Sequence, residues 1–163
     1  MILAIDPGNI DSAYCLMDEA YFPHEKAKVP NAQLLDYIKL NAKKIQHIAV
    51  EMIASYGMAV GADVFDTCTM IGRIEQLADM FGISCSRVFR MEEKEMICHD
   101  SRASDANIKR ALIDRFAKHD LKRGKGTKKK PDWFYGFAKD EWQAYAVGLV
   151  CLEKRGRGCA RIR

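Results

Sequence analysis

The chain opens MILAIDPGNID (residues 1–11), an apolar, partly β-branched run that ends on a carboxylate, Asp6, followed at once by a proline and a glycine. Met1 to Ile5 reads as a buried strand, and Pro7-Gly8 is the turn signal that stops it. Asp6 therefore stands at the carboxyl end of a central strand. A charge in that place needs a partner or a metal, unless it only caps its own turn. A second carboxylate in an equivalent place comes from residues 45–50, IQHIAV, a strand-like run that delivers Glu51. If the two strands are neighbours in one sheet, both acids emerge at the same edge.

Between and beyond these runs the pattern alternates. SAYCLM (12–17) and AYFP (20–23) are short β-prone stretches that make a three-stranded meander with the first strand. Pro30 introduces NAQLLDYIKLNAKK, a helix with Leu34, Leu35, Ile38 and Ala42 on one face. After the loop MIASYGMAVG, apolar residues recur at three- and four-residue steps (Val60, Val64, Cys68, Ile71, Ile74, Leu77, Phe81), predicting a long amphipathic helix ended by Gly82. A strand over 83–89 and a short helix, RMEEKEM, come next. A further helix, begun by Ser104 or Asp105, turns Ile108, Ala111, Leu112 and Phe116 inward. The closing helix, KDEWQAYAVGLVCLE, packs through Trp142, Tyr145, Ala146 and Leu149 and carries Asp140 and Glu141 in its first turn. The order β-β-β-α-β-α-β-α-α-α predicts an α/β fold: a mixed five-stranded sheet, an antiparallel meander then parallel strands, with helices on both faces.

A length of 163 residues with 48% hydrophobic and 29% charged content suits one domain, read as 1–154 with a basic tail over 155–163. With no leader-like start and no apolar run near the roughly 18 residues of a membrane span, the expected location is the cytoplasm. Six cysteines without a C-x-x-C pair read as reduced thiols, in the core except for Cys159. The net charge of +4 hides a segregation: KRGKGTKKK (122–130) and KRGRGCARIR (154–163) together hold 11 of the 26 basic residues and no acid. The rest of the chain has 15 cations against 22 acids. An acidic body with basic, glycine-containing segments suits a nucleic acid, the glycines letting backbone amides approach phosphates. Trp133, Phe134 and Tyr135 behind the first segment suit base stacking, although at least one is expected to pack in the core.

Asp6, Glu51 and Asp140 thus form a candidate carboxylate cluster. Such acids repel one another unless magnesium or manganese lies between them. Two ions about 4 Å apart can activate water and stabilise the leaving oxygen in phosphodiester hydrolysis.

IDPG in the first strand, the VE strand end, the SRASDANIKRALIDRF segment and the closing D-x-x-x-A-x-A helix resemble the RuvC-type Holliday-junction resolvases. The likeness is to their phage-borne branch, which carries stretches similar to VEMIASYGMAVG…FDTCTMIGR and KDEWQAYAVG. The resemblance spans nearly the whole chain. It implies a ribonuclease-H-like fold, a homodimer, no nucleotide cofactor, and magnesium-dependent nicking of two strands of a four-way DNA junction in the bacterial cytoplasm. It makes Asp6, Glu51 and Asp140 the catalytic, metal-binding acids. At the fourth acidic position of the bacterial proteins this chain has Gln143, a weak ligand. Three acids then suffice, or Glu141 swings in from about 100° around the helix, or the site is weakened. Tyr56 is the candidate for the residue that wedges into the junction. Arg102, Lys122, Arg123, Lys125, Lys128, Lys129 and Lys130 are the DNA-binding candidates. The rival readings are a nuclease for forks, flaps or RNA–DNA hybrids, and a junction-binding protein without turnover. An actin-like ATPase, which shares the DPG turn, needs a longer chain.

Overall fold

In the computed structural model, which describes residues 1–55, 57 and 59–160 and the side chains among them up to residue 156, the opening run is the strand β1 (Ile2–Asp6). There follow β2 (Asp11–Met17), β3 (Pro23–Pro30), α1 (Asn31–Asn41), β4 (His47–Met52), α2 (Ala62–Met80), β5 (Ser84–Phe89), α3 (Arg90–Cys98), α4 (Asp105–Phe116) and α5 (Glu141–Ala160). This is the predicted order of elements. The sheet runs β3-β2-β1-β4-β5, antiparallel where the meander pairs and parallel where β4 joins β1 and β5.

The third strand lies later than AYFP. Residues 20–22 are instead a tight turn in which the Asp18 carboxylate accepts from the amides of Ala20 and Phe22, both at 2.9 Å, and Tyr21 adopts φ 67°. The strand itself is PHEKAKVP, an edge strand whose largely exposed residues need no apolar alternation.

Alternation along the central strands divides the core. Leu3 and Ile5 of β1 and Ile48 and Val50 of β4 face α1 and α2; Ile2, Ala4 and Ala49 face the layer of α3, α4 and α5. Helix α5 is buried on most sides and approaches the sheet closely at Gly148. A Cβ there would lie 2.2 Å from the Met17 sulfur and 2.9 Å from Ala4 Cβ.

The predicted α2 stripe holds at Ile71, Ile74 and Leu77 but not at its ends: Val60 and Phe81 are exposed, and burial begins only at Thr67. Helix α4 begins after the Ser104 cap, whose hydroxyl accepts from the Asn107 amide. Helix α5 continues into the basic segment as far as Ala160, and residues 161–163 lie outside the described residues. The described cysteines are free: Cys15 and Cys151 buried, Cys68, Cys85 and Cys98 half-buried. Among the described residues no helix is long and apolar enough to cross a membrane.

Candidate active site

The parallel register pairs Ile5 of β1 with Val50 of β4, so one residue further along each strand Asp6 and Glu51 stand side by side. The two-residue period places both on the face of Ala4 and Ala49, which α5 covers. Asp6 does not serve as a cap for its own turn. That turn is closed by Ser12, whose hydroxyl accepts from the Gly8 amide at 3.2 Å, and by Asn31, which donates to the carbonyls of Gly8 and Asn9 at 2.9 and 3.1 Å. Gly8 is needed there, because a Cβ would fall 2.3 Å from the Asp11 carbonyl oxygen.

Asp140 arrives from the start of α5. Its carbonyl accepts from the amides of Gln143 and Ala144 at 2.9 and 3.0 Å, and the preceding Lys139 sits at φ 37°, a strained backbone for a lysine. Asp6, Glu51, Asp140 and Gln143 line one open cleft of about 470 Å³. Arg90, Lys109 and Lys139 contribute cations to its walls, and Asp105, paired with Arg90, also lines it. Glu141 does not join them: its carboxylate accepts from the Ala138 amide at 2.8 Å and so finishes the helix start.

Burial, and then the charge of Glu51, raises the Asp6 carboxyl well above the ordinary range. Burial likewise raises Glu51, against the pull of Arg90. In the absence of a cation, burial and the neighbouring charge of Glu51 together favour the protonated form of Asp6. Asp140 takes a different partner, the Lys28 ammonium of β3 at 2.6 Å. Among the described residues, accordingly, no three acidic, histidine or cysteine side chains converge closely enough, as placed, to hold an ion together.

A further acid, not foreseen from the sequence, lies behind the cleft. Glu93 of α3 has no solvent exposure, and one of its oxygens, Oε2, accepts from Arg90 at 2.7 Å and from the Gln143 amide nitrogen. Its other oxygen, Oε1, is buried without a partner. Burial, and then Glu51, push the Glu93 carboxyl up to about 9. The only signal in the sequence was RMEEKEM itself, whose density of charge reads as a solvated helix.

The basic candidates lie elsewhere. Lys122, Arg123, Lys128, Lys129 and Lys130 are exposed, Lys125 is half-exposed, and the loop lines a separate groove with His119 and Asp120. Several of its backbone amides are already engaged within the protein. The Asp120 carboxylate accepts from the amides of Arg123, Lys125 and Gly126, and its carbonyl accepts from Gly124. Gly124 and Gly126 serve to turn the chain, at φ 70° and 66°. Buried Asp132 accepts from the amides of Lys118, His119, Asp120 and Trp133, which hold its carboxyl far below the usual range although burial opposes them. The loop is thus folded around two carboxylates with its cations outward. Of the aromatics, Phe134 is fully buried, Trp133 donates to the Tyr145 hydroxyl at 3.1 Å, and Tyr135 is exposed. Arg102 is exposed beside Asp100. Tyr56 lies outside the described residues.

No protein-family model and no curated protein matches the chain. Among solved structures it is similar to Thermus thermophilus RuvC, with 15% sequence identity and a TM-score of 0.66 over 94% of this chain and 95% of that one. It is also similar to T. thermophilus RuvC in complex with a Holliday junction substrate, with 12% identity and a TM-score of 0.62 over 91% of this chain and 90% of that one. Identity at this level speaks for backbone architecture alone, and the mixed sheet, its strand order and the helices on both faces give this chain the RuvC-like, ribonuclease-H-like fold.

Proposed function

We propose that the chain is a metal-dependent, structure-selective DNA endonuclease that resolves four-way junctions. The observation that carries the reading is the meeting of Asp6 and Glu51, from adjacent strand ends, with Asp140 and Gln143, from the start of α5, in one open cleft walled by cations. Similarity to a RuvC bound to a Holliday junction favours branched DNA as the substrate.

The donor set suits a hard divalent cation: carboxylates and one amide oxygen, with no sulfur or imidazole. Two of the acids are half-buried side by side, and Glu93 behind them has an unsatisfied oxygen, so the metal-free site holds more carboxylate than its own cations satisfy. A divalent charge beside such groups favours their ionised forms. Asp6, Glu51 and Asp140 would hold magnesium or manganese, with the Gln143 carbonyl as a weaker donor and Asp140 released from Lys28. When bound, two such ions supply an activated water and neutralise the leaving oxygen. The protein's own part is to fix the carboxylates on rigid strand ends and to keep Arg90, Lys109 and Lys139 facing a phosphodiester. Water adds to phosphorus, the bond to the 3′ oxygen breaks, and the products are a 5′-phosphate and a 3′-hydroxyl.

A homodimer would present two such clefts to opposite strands. The exposed apolar residues of α2, among them Phe65, support a second copy as its partner. The site of action on this reading is the bacterial cytoplasm, with a phage as the source of the protein. The experiment is cleavage of a synthetic four-way junction, a fork, a flap and an RNA–DNA hybrid with magnesium. Paired nicks confined to the junction are expected, and Asp6→Asn, Glu51→Gln and Asp140→Asn should each abolish them, by at least about 100-fold, without loss of binding. Equal cutting of fork or hybrid would reassign the substrate. The Lys28–Asp140 pair and the amide at position 143 favour one second reading, a junction-binding protein without turnover. Tight junction binding with no nicks in magnesium or manganese would establish it.

A further inference from the structure

The amide of Gln143 is not free to turn. Its nitrogen donates to Glu93 Oε2, which directs the amide nitrogen into the protein and leaves the carbonyl oxygen as the atom available to the cleft. The residue that directs it is a fully buried carboxylate, and fully buried carboxylates are costly unless their charge is used or matched. It is not matched here. Arg90 is the guanidinium that reaches Glu93, but its other arm bonds Asp105, so two carboxylates share one cation. Both known donors to Glu93 fall on Oε2, and Oε1 has none. The charges of Glu51 and Asp6 in turn reach Glu93.

We propose that Glu93 is a positioning residue of the metal site, which holds the Gln143 amide in place and, ionised once a divalent cation is bound, supplies from behind it the fourth negative charge that position 143 itself lacks. This rests on the metal-dependent reading above. The carboxylate stands on α3 rather than α5, one layer behind the cleft, and Gln143 relays it as an oriented carbonyl. Groups in this second layer fix the direction of a ligand and raise its donor strength, and changing them commonly weakens metal binding by about 10- to 100-fold.

The test is titration calorimetry of Mn²⁺ into the metal-free full-length protein, with circular dichroism and thermal unfolding on the same samples. Glu93→Gln keeps the shape and removes the charge; it is expected to weaken Mn²⁺ binding at least about tenfold with an unchanged spectrum. The transposed pair Glu93→Gln with Gln143→Glu keeps one carboxylate and one amide in contact, and is expected to restore wild-type affinity or exceed it. A residue that only holds the fold would show the reverse, a shifted unfolding temperature with unchanged Mn²⁺ affinity in Glu93→Gln, and that result overturns the proposal. Should Glu93→Gln fail to fold, the transposed pair decides alone: wild-type affinity supports the proposal, and a tenfold loss overturns it. Asp6→Asn separates this from the broader reading. If wild-type protein binds Mn²⁺, Asp6→Asn does not and Glu93→Gln does as well as wild type, only the role of Glu93 falls. If wild type takes up no Mn²⁺, both fall.

Discussion

Lys28 and Asp140 are each more than 40% exposed, so their 2.6 Å contact contributes little to stability, yet it occupies the acid that the proposed metal needs. Lys28→Gln should therefore leave the unfolding temperature within about 2 °C of wild type, while Mn²⁺ measured by calorimetry binds severalfold more tightly. His47 is a different case, a buried histidine bridging the hydroxyls of Ser84 and Ser86 at 2.6 and 2.8 Å. Burial, and then Arg155, lower it to about 4. Because the unfolded chain takes up this proton near the ordinary value of about 6.5, stability is intact above that pH and is lost as pH falls toward 4. His47→Gln should flatten that loss, seen as a smaller drop in unfolding temperature between pH 7 and pH 4.5. The role of His47 is not legible in IQHIAV, since its partners come from β5, far along the chain. Glu93 was hidden for the same reason: nothing local distinguishes it from Glu92, which bonds Lys154 at the surface.

At the scale of elements, periodicity located what packing made regular and missed what it did not. Strands β1, β2 and β4 are buried and were recognised by their apolar runs, whereas β3 is an edge strand written in charged residues. Helix α5 shows how closely the layers meet. Gly148→Ala places a methyl against Met17 and Ala4, and overpacking of this kind costs about 1–3 kcal/mol. The expected result is a fall of roughly 3–10 °C in the unfolding temperature. Because α5 also carries Gln143 and begins directly after Asp140, the same variant should reduce cleavage more than it reduces junction binding.

For the whole molecule, the acidic cleft and the basic loop are separate surfaces, lined by different residues. The loop's cations stand on a frame fixed by Asp120 and Asp132, so on the proposed reading their exposed ammonium and guanidinium groups meet DNA phosphates through charge. Each phosphate neutralised on duplex arms contributes a slope of about −0.9 to log affinity against log salt. Replacing Lys128, Lys129 and Lys130 together by alanine should flatten that slope by up to about 3 and weaken binding, without moving the positions of the nicks. An unchanged slope would make the loop a solvated surface.

The sequence by itself determined the order of elements, the mixed sheet and the placing of Asp6 and Glu51 at strand ends, because burial imposes a period that can be read along the chain. It also shows Gln143 where the resemblance to RuvC-type resolvases implies an acid. Only the tertiary structure decided what stands around that amide: Glu93 behind it, Arg90 shared with Asp105, and Lys28 on Asp140. These are contacts between side chains of different elements, brought together by the crossing of α3 and α5 over the sheet and by the edge strand beside it. Hydrophobic periodicity carries no record of them, since a charged residue is spelled alike whether water or a buried amide completes its hydrogen bonds.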